Sequence, residues 1–92
     1  MNLNKLYKTI TKKILSHPSC TGNPKDSLLS LHEAATKLWV ATATEKSREE
    51  VEKRISNTLI GVCDVANSLG VRNIEKIILR RIDELQKEKS LI

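Results

Sequence analysis

Aromatic residues, glycine and proline are all scarce in this sequence. Among its 92 residues only Tyr7 and Trp39 are aromatic, and there are three glycines and two prolines. Strands favour aromatic side chains, whereas glycine and proline interrupt helices. Leu, Ile, Val and Ala supply most of the apolar content. The composition therefore predicts an all-α protein.

The sequence also lacks a long apolar run. A helix needs about 20 mainly apolar residues to cross a bilayer, and no stretch of this chain approaches that length. Lys5 and Lys8 interrupt the N-terminal segment before the apolar core of a signal peptide could form. We therefore expect a cytoplasmic protein without a membrane partner.

Cysteine is too rare for a disulfide framework or a thiolate zinc site. Cys20 falls in a predicted loop and Cys63 in a predicted helix. A mixed metal site could be drawn by adding His17 and His32, but these four residues do not have a recognised zinc spacing. We expect two free thiols, no bound metal and no cofactor.

The helical periodicity of the apolar residues predicts one domain over residues 1–92. Its four helices are expected near residues 2–16, 24–45, 48–69 and 73–89. Short connections between such helices are typical of an antiparallel helical bundle. A chain this small buries only a modest share of its apolar surface. We therefore expect oligomerisation, with a dimer favoured, to complete or extend the bundle.

Local signals mark where the predicted helices begin and end. Asn23 precedes a proline and can cap the second helix, and Ser47 with Glu50 three residues later forms a capping-box pattern. Gly70 is placed to end the third helix in a left-handed conformation, and Asn73 can cap the fourth. These caps predict short connections between the last three helices.

Each of the last three helices carries an apolar stripe that we expect to be buried. The predicted stripes are Leu28, Leu31, Ala35 and Leu38 on the second helix; Val51, Ile55, Leu59, Val62, Ala66 and Leu69 on the third; and Ile74, Ile78, Ile82 and Leu85 on the fourth. Stripes of this length in a small chain form either the core or a subunit interface.

Part of the chain resembles a known family. The second helix contains Leu31-His32-Glu33, and the third contains the run 51–60, followed by Asp64-Val65-Ala66-Asn67 and then Leu69-Gly70-Val71. This order resembles the second and third helices of the MazG-like all-α nucleotide pyrophosphohydrolases. The resemblance implies a helical fold in which two pairs of carboxylates, each three residues apart, bind Mg²⁺ and thereby position a nucleotide's phosphates.

The positions that correspond to those carboxylates have lost their acidic residues. They fall on Ala34 and Lys37 in the second helix and on Arg54 and Asn57 in the third. Alanine offers no ligand atom, and lysine and arginine repel a cation. The resemblance therefore implies a degenerate active site, and we expect a non-catalytic helical assembly or interaction protein with an unknown protein partner.

Two nearby acidic residues leave other interpretations open. Glu33 lies one residue before the expected position, and Asp64 lies two turns beyond Asn57 on nearly the same face. As relocated ligands they would give an active nucleoside triphosphate pyrophosphohydrolase. Alternatively, they form ion pairs with Lys37 or Arg54 that hold the two helices in register.

A net charge of +5 supports a second class of function. The basic residues fall in two groups, on the first helix and around the fourth: Lys5, Lys8, Lys12 and Lys13, then Arg72, Lys76, Arg80, Arg81, Lys87 and Lys89. If the two groups were adjacent, Lys5, Lys8, Lys12, Arg80 and Arg81 would contact phosphates without reading base sequence. The alternative prediction is a small basic nucleic-acid-binding protein.

Overall fold

The computed structural model describes residues 2–16 and 22–88, and within these ranges the chain is all-α. The helices are α1 (Leu3–Ile10), α2 (Pro24–Ala43), α3 (Arg48–Ser68) and α4 (Ile74–Glu88); α1 continues as a π-helical turn (Thr11–Leu15). No described residue belongs to a strand. The predicted fold class is confirmed, and each helix begins and ends within a few residues of its predicted range. Predictions on His17 and Cys20 lie outside the described residues.

The predicted helix starts are confirmed by side-chain caps. The Asn23 side chain accepts a hydrogen bond from the Lys25 amide at 2.9 Å, with Pro24 in the first turn. The Ser47 hydroxyl oxygen accepts from the Glu50 amide at 3.2 Å. Each cap satisfies a backbone donor that the first turn of a helix leaves unpaired.

The C-terminal ends of α2 and α3 have the same hydrogen-bond pattern. After α3, Gly70 has a φ of 78° and the Val71 amide donates to the Ala66 carbonyl at 2.9 Å. After α2, the Lys46 amide donates to the Ala41 carbonyl at 3.0 Å. This Schellman arrangement requires a left-handed residue. Gly70 supplies it without strain, whereas α2 uses a glutamate, Glu45, at a φ of 54°.

Helices α2 and α3 form an antiparallel hairpin with close backbone contact at Gly61. A Cβ atom on Gly61 would lie 3.3 Å from the Leu31 Cα atom. Near the other end of the hairpin, Lys37 and Ala41 line one cavity with Arg54. Residues early in α2 therefore lie opposite residues late in α3. The absence of a side chain at Gly61 lets the two helices approach each other.

The small core lies where α1, the end of α3 and the start of α4 meet. It consists of Tyr7, Cys63 and Ile74, which are 6%, 7% and 4% exposed. Partly buried apolar side chains surround these three: Leu3, Ile10, Leu15, Ala66 and Val71. The Tyr7 hydroxyl donates to the Val71 carbonyl at 2.7 Å, which satisfies the polar atom of the only tyrosine.

Asn4 on α1 holds the start of α4. The Asn4 amide nitrogen donates to the Asn73 side-chain oxygen at 2.9 Å, and the Asn4 oxygen accepts from the Glu75 amide at 3.1 Å. The Asn73 oxygen also accepts from the Lys76 amide at 3.0 Å, which confirms Asn73 as the cap. Two first-turn donors of α4 are thus satisfied, one of them from a distant part of the chain.

Away from this core the chain is open. The radius of gyration is 14.7 Å, against about 12 Å for a compact domain of this length. None of the large side chains among the described residues is fully buried. The exposed large apolar residues are Leu6, Ile14, Leu28, Leu29, Trp39, Val40, Ile55, Leu59, Val62, Leu69, Ile77, Ile78, Leu79 and Ile82.

The prediction that the apolar stripes are buried is therefore largely wrong for a single chain. On α4 only Ile74 is buried, while Ile78 and Ile82 are exposed. Most of the predicted α3 stripe is exposed as well, including Leu59 at 57%. The reason is that α4 meets the rest of the chain near its start, so nothing in the described chain covers its later turns. No helix in the described ranges is long and apolar enough to cross a membrane.

Candidate functional site

Two of the four degenerate positions line one cavity between α2 and α3. Lys37 and Arg54 share a space of about 200 Å³ with Lys46, from the α2–α3 connection, and Glu50. Thr36, Val40 and Ala41 complete its wall. The antiparallel hairpin thus brings Lys37 of α2 and Arg54 of α3 to the same cavity. The residue types that meet there are three cations and one carboxylate.

The carboxylate in this cavity is already paired with one of the cations. Arg54 Nη2 lies 2.7 Å from Glu50 Oε1, one helical turn earlier, and the two side chains are 26% and 34% exposed. The expectation that Glu33 or Asp64 would pair with Arg54 or Lys37 is wrong. Arg54 pairs with Glu50 because the two residues are four apart on α3 and are therefore neighbours on its surface.

The remaining candidate ligands are not gathered at this cavity. Ala34 is half-buried on α2, Asn57 and Glu33 are exposed, and Asp64 is half-buried on α3. Within residues 2–16 and 22–88, no three His, Cys, Asp or Glu residues lie close enough to share a metal ion. The electrostatics of the cavity favour an anion over Mg²⁺, because three cations face one neutralised carboxylate.

Cys63 lies in the core rather than beside His32. Burial raises the pKa of the Cys63 thiol. Burial also raises the pKa of Tyr7, with a smaller contribution from the nearby Cys63. A raised thiol pKa lowers the thiolate fraction at neutral pH, and the thiolate is the reactive form. Cys63 is therefore a packing residue, whereas His32 lines a different, apolar cavity on α2.

A second charged cavity lies between α1 and the α3–α4 connection. We call it the basic cavity: about 540 Å³ in volume, it is lined by Lys8, Lys12, Arg72 and Asn67, with Tyr7, Thr11 and Val71. It contains three cations and no carboxylate. None of the three cations forms an ion pair with a described residue. It is the more positive of the two charged cavities.

The predicted nucleic-acid contacts divide into two groups in the structure. Lys8 and Lys12 line the basic cavity, and Lys5 is exposed on α1. Arg80 and Arg81 do not line that cavity, and Arg81 pairs with Glu84 at 3.0 Å. The third cation of the cavity is Arg72, which the sequence places only near the start of the fourth helix. The only local indication of a role for Arg72 was its position between Gly70, which ends α3, and Asn73, which caps α4.

Exposed apolar side chains of α2 and α3 lie on the same side of the hairpin. In each helix these side chains are rotated by about a quarter-turn around the helix axis from the residues that face the other helix. Because α2 and α3 run antiparallel, the same rotation directs the side chains of both helices to the same side of the hairpin. We call this surface the hairpin face: Leu28, Ala35 and Trp39 on α2, with Ile55, Leu59 and Val62 on α3. Trp39 is its most exposed member, at 71%.

Comparisons with protein-family models, curated proteins and solved structures find no match to this chain.

Proposed function

We propose that this chain is a non-catalytic, MazG-like helical protein of the cytoplasm that works by assembling, first of all with a second copy of itself. The observation that carries the proposal is the hairpin face, where both helices expose large apolar side chains on the same side. Monomeric proteins rarely expose contiguous apolar surface on this scale, and larger patches mark interaction sites.

The chain exposes more surface than a compact monomer of its size. It has 7319 Å² of accessible surface, about 1,900 Å² more than the roughly 5,400 Å² of a compact monomer of 10.4 kDa. A standard protein interface buries about 800 Å² on each partner. The surplus over the whole chain is therefore compatible with an interface of that size.

A second copy is the partner that best fits this surface. The core of the chain is small, so the hairpin depends on a cover that is present whenever the chain is folded. An identical chain is always present at the same concentration. In a two-fold arrangement, the α4 residues Ile78 and Ile82 of each copy would pack on the hairpin face of the other, so that two equivalent interfaces form. Trp39 is the natural anchor, since buried tryptophans dominate interface energies.

The absence of catalysis is supported by the cavity of Lys37, Lys46 and Arg54. Lys37 and Arg54 stand at two positions where the resemblance puts Mg²⁺ ligands, and Arg54 holds Glu50, the one carboxylate in the cavity, at 2.7 Å. A metal ion entering would have to displace that ion pair and overcome the repulsion of the two lysines.

Sedimentation velocity on a pair of charge-matched variants tests the assembly. Trp39→Glu places a carboxylate on the hairpin face, and Ser30→Glu places one on an exposed position of α2 on another side of the helix. We expect the unchanged protein and Ser30→Glu to sediment as dimers, and Trp39→Glu as a monomer, because an unpaired buried charge opposes association. Dimers of all three proteins would place the interface elsewhere.

A hydrolysis assay tests the absence of catalysis separately. The protein is incubated with Mg²⁺ or Mn²⁺ and a panel of nucleoside triphosphates, and pyrophosphate release is measured together with metal binding by calorimetry. We expect neither signal. Metal-dependent turnover that disappears in Asp64→Ala would mean that relocated ligands form an active site, and the chain would then be an enzyme.

A further inference from the structure

The basic cavity has a composition that the proposed assembly does not explain. Lys8 and Lys12 enter it from α1 and the π-helical turn, and Arg72 enters from the α3–α4 connection. Three cations within one cavity repel one another unless an anion or solvent screens them. In the described part of the chain no carboxylate does so, although acidic partners do neutralise Arg48, Arg54, Arg81 and Lys87.

The position of Arg72 is fixed on both sides. Its neighbour Val71 accepts the hydrogen bond of the Tyr7 hydroxyl at 2.7 Å, and Val71 also closes the end of α3. Its other neighbour, Asn73, is bonded to Asn4 at 2.9 Å. Both bonds tie the connection to α1, the helix that carries Lys8. The backbone at Arg72 is therefore held beside α1 before any ligand arrives, which reduces the backbone entropy lost on binding.

The cations continue along α1 beyond the cavity. Lys5, Lys8 and Lys12 are spaced three and four residues apart, so they lie along one side of the helix. With a rise of about 1.5 Å per residue, this row spans roughly 10 Å. The row is long enough to face more than one phosphate of a nucleic-acid backbone, with Arg72 beside it.

We propose that the basic cavity, extended by Lys5, binds the phosphate backbone of a nucleic acid. Lys8, Lys12 and Arg72 contact phosphate oxygens, and the Asn67 side chain offers one further donor at the edge of the cavity. Arginine binds phosphate through paired N–H donors, and lysine binds it as a point charge. Contacts to phosphates carry no base information, so binding through them is independent of base sequence. This site is separate from the hairpin face and does not depend on the proposed dimer.

The cavity between α2 and α3 provides an internal comparison. It also holds three cations, Lys37, Lys46 and Arg54, but Glu50 lies among them. Removing two lysines from each region lowers the net charge of the protein equally. Lys8→Gln with Lys12→Gln therefore tests the basic cavity, and Lys37→Gln with Lys46→Gln is the matched control. All four lysines are exposed, and none has an ion-pair partner among the described residues.

Fluorescence anisotropy with a labelled 20-nucleotide strand and its duplex gives the measurement. We expect binding at low salt that weakens about tenfold or more in the Lys8/Lys12 variant and far less in the control. The slope of log affinity against log salt should fall by about 0.7 per lost contact for the single strand and 0.9 for the duplex. Arg72→Gln removes one cation instead of two, so on a logarithmic scale its loss of affinity should be about half that of the Lys8/Lys12 variant. Circular dichroism checks that each variant is folded.

Three results would overturn the proposal. The first is no binding of either probe at low salt. The second is equal weakening in the two double variants, since this would mean that only net charge matters. The third is competition in which inorganic phosphate or pyrophosphate, at the same concentration of phosphate groups, displaces the labelled strand as well as unlabelled nucleic acid does. That result would identify a site for a small phosphate ligand rather than a backbone.

Discussion

The two ends of this small molecule bury their apolar side chains to different extents. Where α1, α3 and α4 meet, Tyr7, Cys63 and Ile74 are nearly covered, and hydrogen bonds from Tyr7 and Asn4 join segments more than 60 residues apart. Along the α2–α3 hairpin, contact is close but the covered side chains are small. There the buried residues are Ser27 and Ala41, Leu31 and Leu38 are half-buried, and many of the other large apolar residues are exposed.

This difference shows which part of the chain can be stable alone. Free energy from apolar burial scales with the area removed from water. The closed end obtains that area from its own helices, whereas the hairpin exposes the area that would stabilise it. We infer that the closed end holds the chain together and the hairpin face is the surface used for assembly. The predictions below compare these two regions, beginning with the largest effect.

Shortening Ile74 should cost far more than shortening Ile82. Ile74→Ala removes three carbon atoms from a side chain that is 4% exposed, and should lower the free energy of unfolding by roughly 2–5 kcal/mol. Ile82 is 41% exposed, so Ile82→Ala should cost less than about 1 kcal/mol at low protein concentration. Urea unfolding followed by circular dichroism measures both.

The concentration dependence of that pair sharpens the comparison. If a second copy covers α4, the cost of Ile82→Ala should rise with protein concentration while the cost of Ile74→Ala stays constant. Equal costs at every concentration would mean that the contrast between the two regions of α4 is wrong.

Filling the space at Gly61 should weaken the hairpin. A Cβ atom there would lie 3.3 Å from both the Cα and Cδ1 atoms of Leu31. Gly61→Val adds two further methyl groups and should destabilise the protein by about 1–3 kcal/mol through overpacking. In Gly61→Ala, the gain of about 1 kcal/mol in helix propensity opposes the smaller clash. A valine variant as stable as the alanine variant would contradict the close approach of α2 and α3.

Removing the Tyr7 hydroxyl should have an intermediate effect on the closed end. Tyr7→Phe leaves the Val71 carbonyl without its 2.7 Å partner and should lower the free energy of unfolding by about 1 kcal/mol. The effect should be accompanied by weaker nucleic-acid binding, because Arg72 loses one of its two anchors. Thr9→Val, which removes an exposed hydroxyl elsewhere on α1, is the control for both measurements.

The stability of the closed end should fall in alkaline solution. Burial raises the pKa of Tyr7 and of Cys63, so both groups stay protonated to a higher pH in the folded chain than in the unfolded chain. Folding then loses stability as the pH rises through 9 and 10, the ordinary pKa values of the thiol and the phenol. Thermal unfolding between pH 7 and 11 should show this loss, and Tyr7→Phe should reduce it. A constant melting temperature would contradict the burial of both groups.

The smallest effect is expected at the end of α2. Glu45 has a φ of 54°, a left-handed conformation that costs a non-glycine residue roughly 1–2 kcal/mol. Glycine recovers that cost but has more conformational freedom to lose, so Glu45→Gly should stabilise the hairpin by about 0.5–1 kcal/mol. The neighbouring Lys46→Gly should instead be neutral or destabilising. Thermal unfolding of both variants tests the assignment of this turn.

The parts of the fold that depend on local sequence could be predicted. The caps at Asn23, Ser47 and Asn73 and the helix end at Gly70 each involve hydrogen bonds over a few residues. Such signals are read directly from spacing. The π-helical turn at 11–15 was not predicted, because its hydrogen bonds span only one residue more than those of an α-helix and five residues are too few to change the apolar periodicity visibly.

The candidate sites depend on contacts between distant segments, and there the sequence was less informative. Periodicity identified apolar stripes on α3 and α4, but it cannot specify whether a stripe is covered by the same chain. The basic cavity requires Val71 to be bonded to Tyr7, 64 residues away, so Arg72 could not be assigned to Lys8 and Lys12 from spacing. Lys37 and Arg54 do line one cavity, but Arg54 pairs with Glu50 and not with the predicted Glu33 or Asp64.

The fluorescence of Trp39 tests most directly whether a second copy covers the hairpin face. It is the only tryptophan, and in the single chain its side chain is 71% exposed. The emission maximum is followed as the protein is diluted from high to low micromolar concentration, with Trp39 itself as the probe. We predict short-wavelength emission at high concentration that moves to longer wavelength on dilution, together with a halving of the sedimenting mass. Long-wavelength emission and a single-chain mass at every concentration would contradict the account.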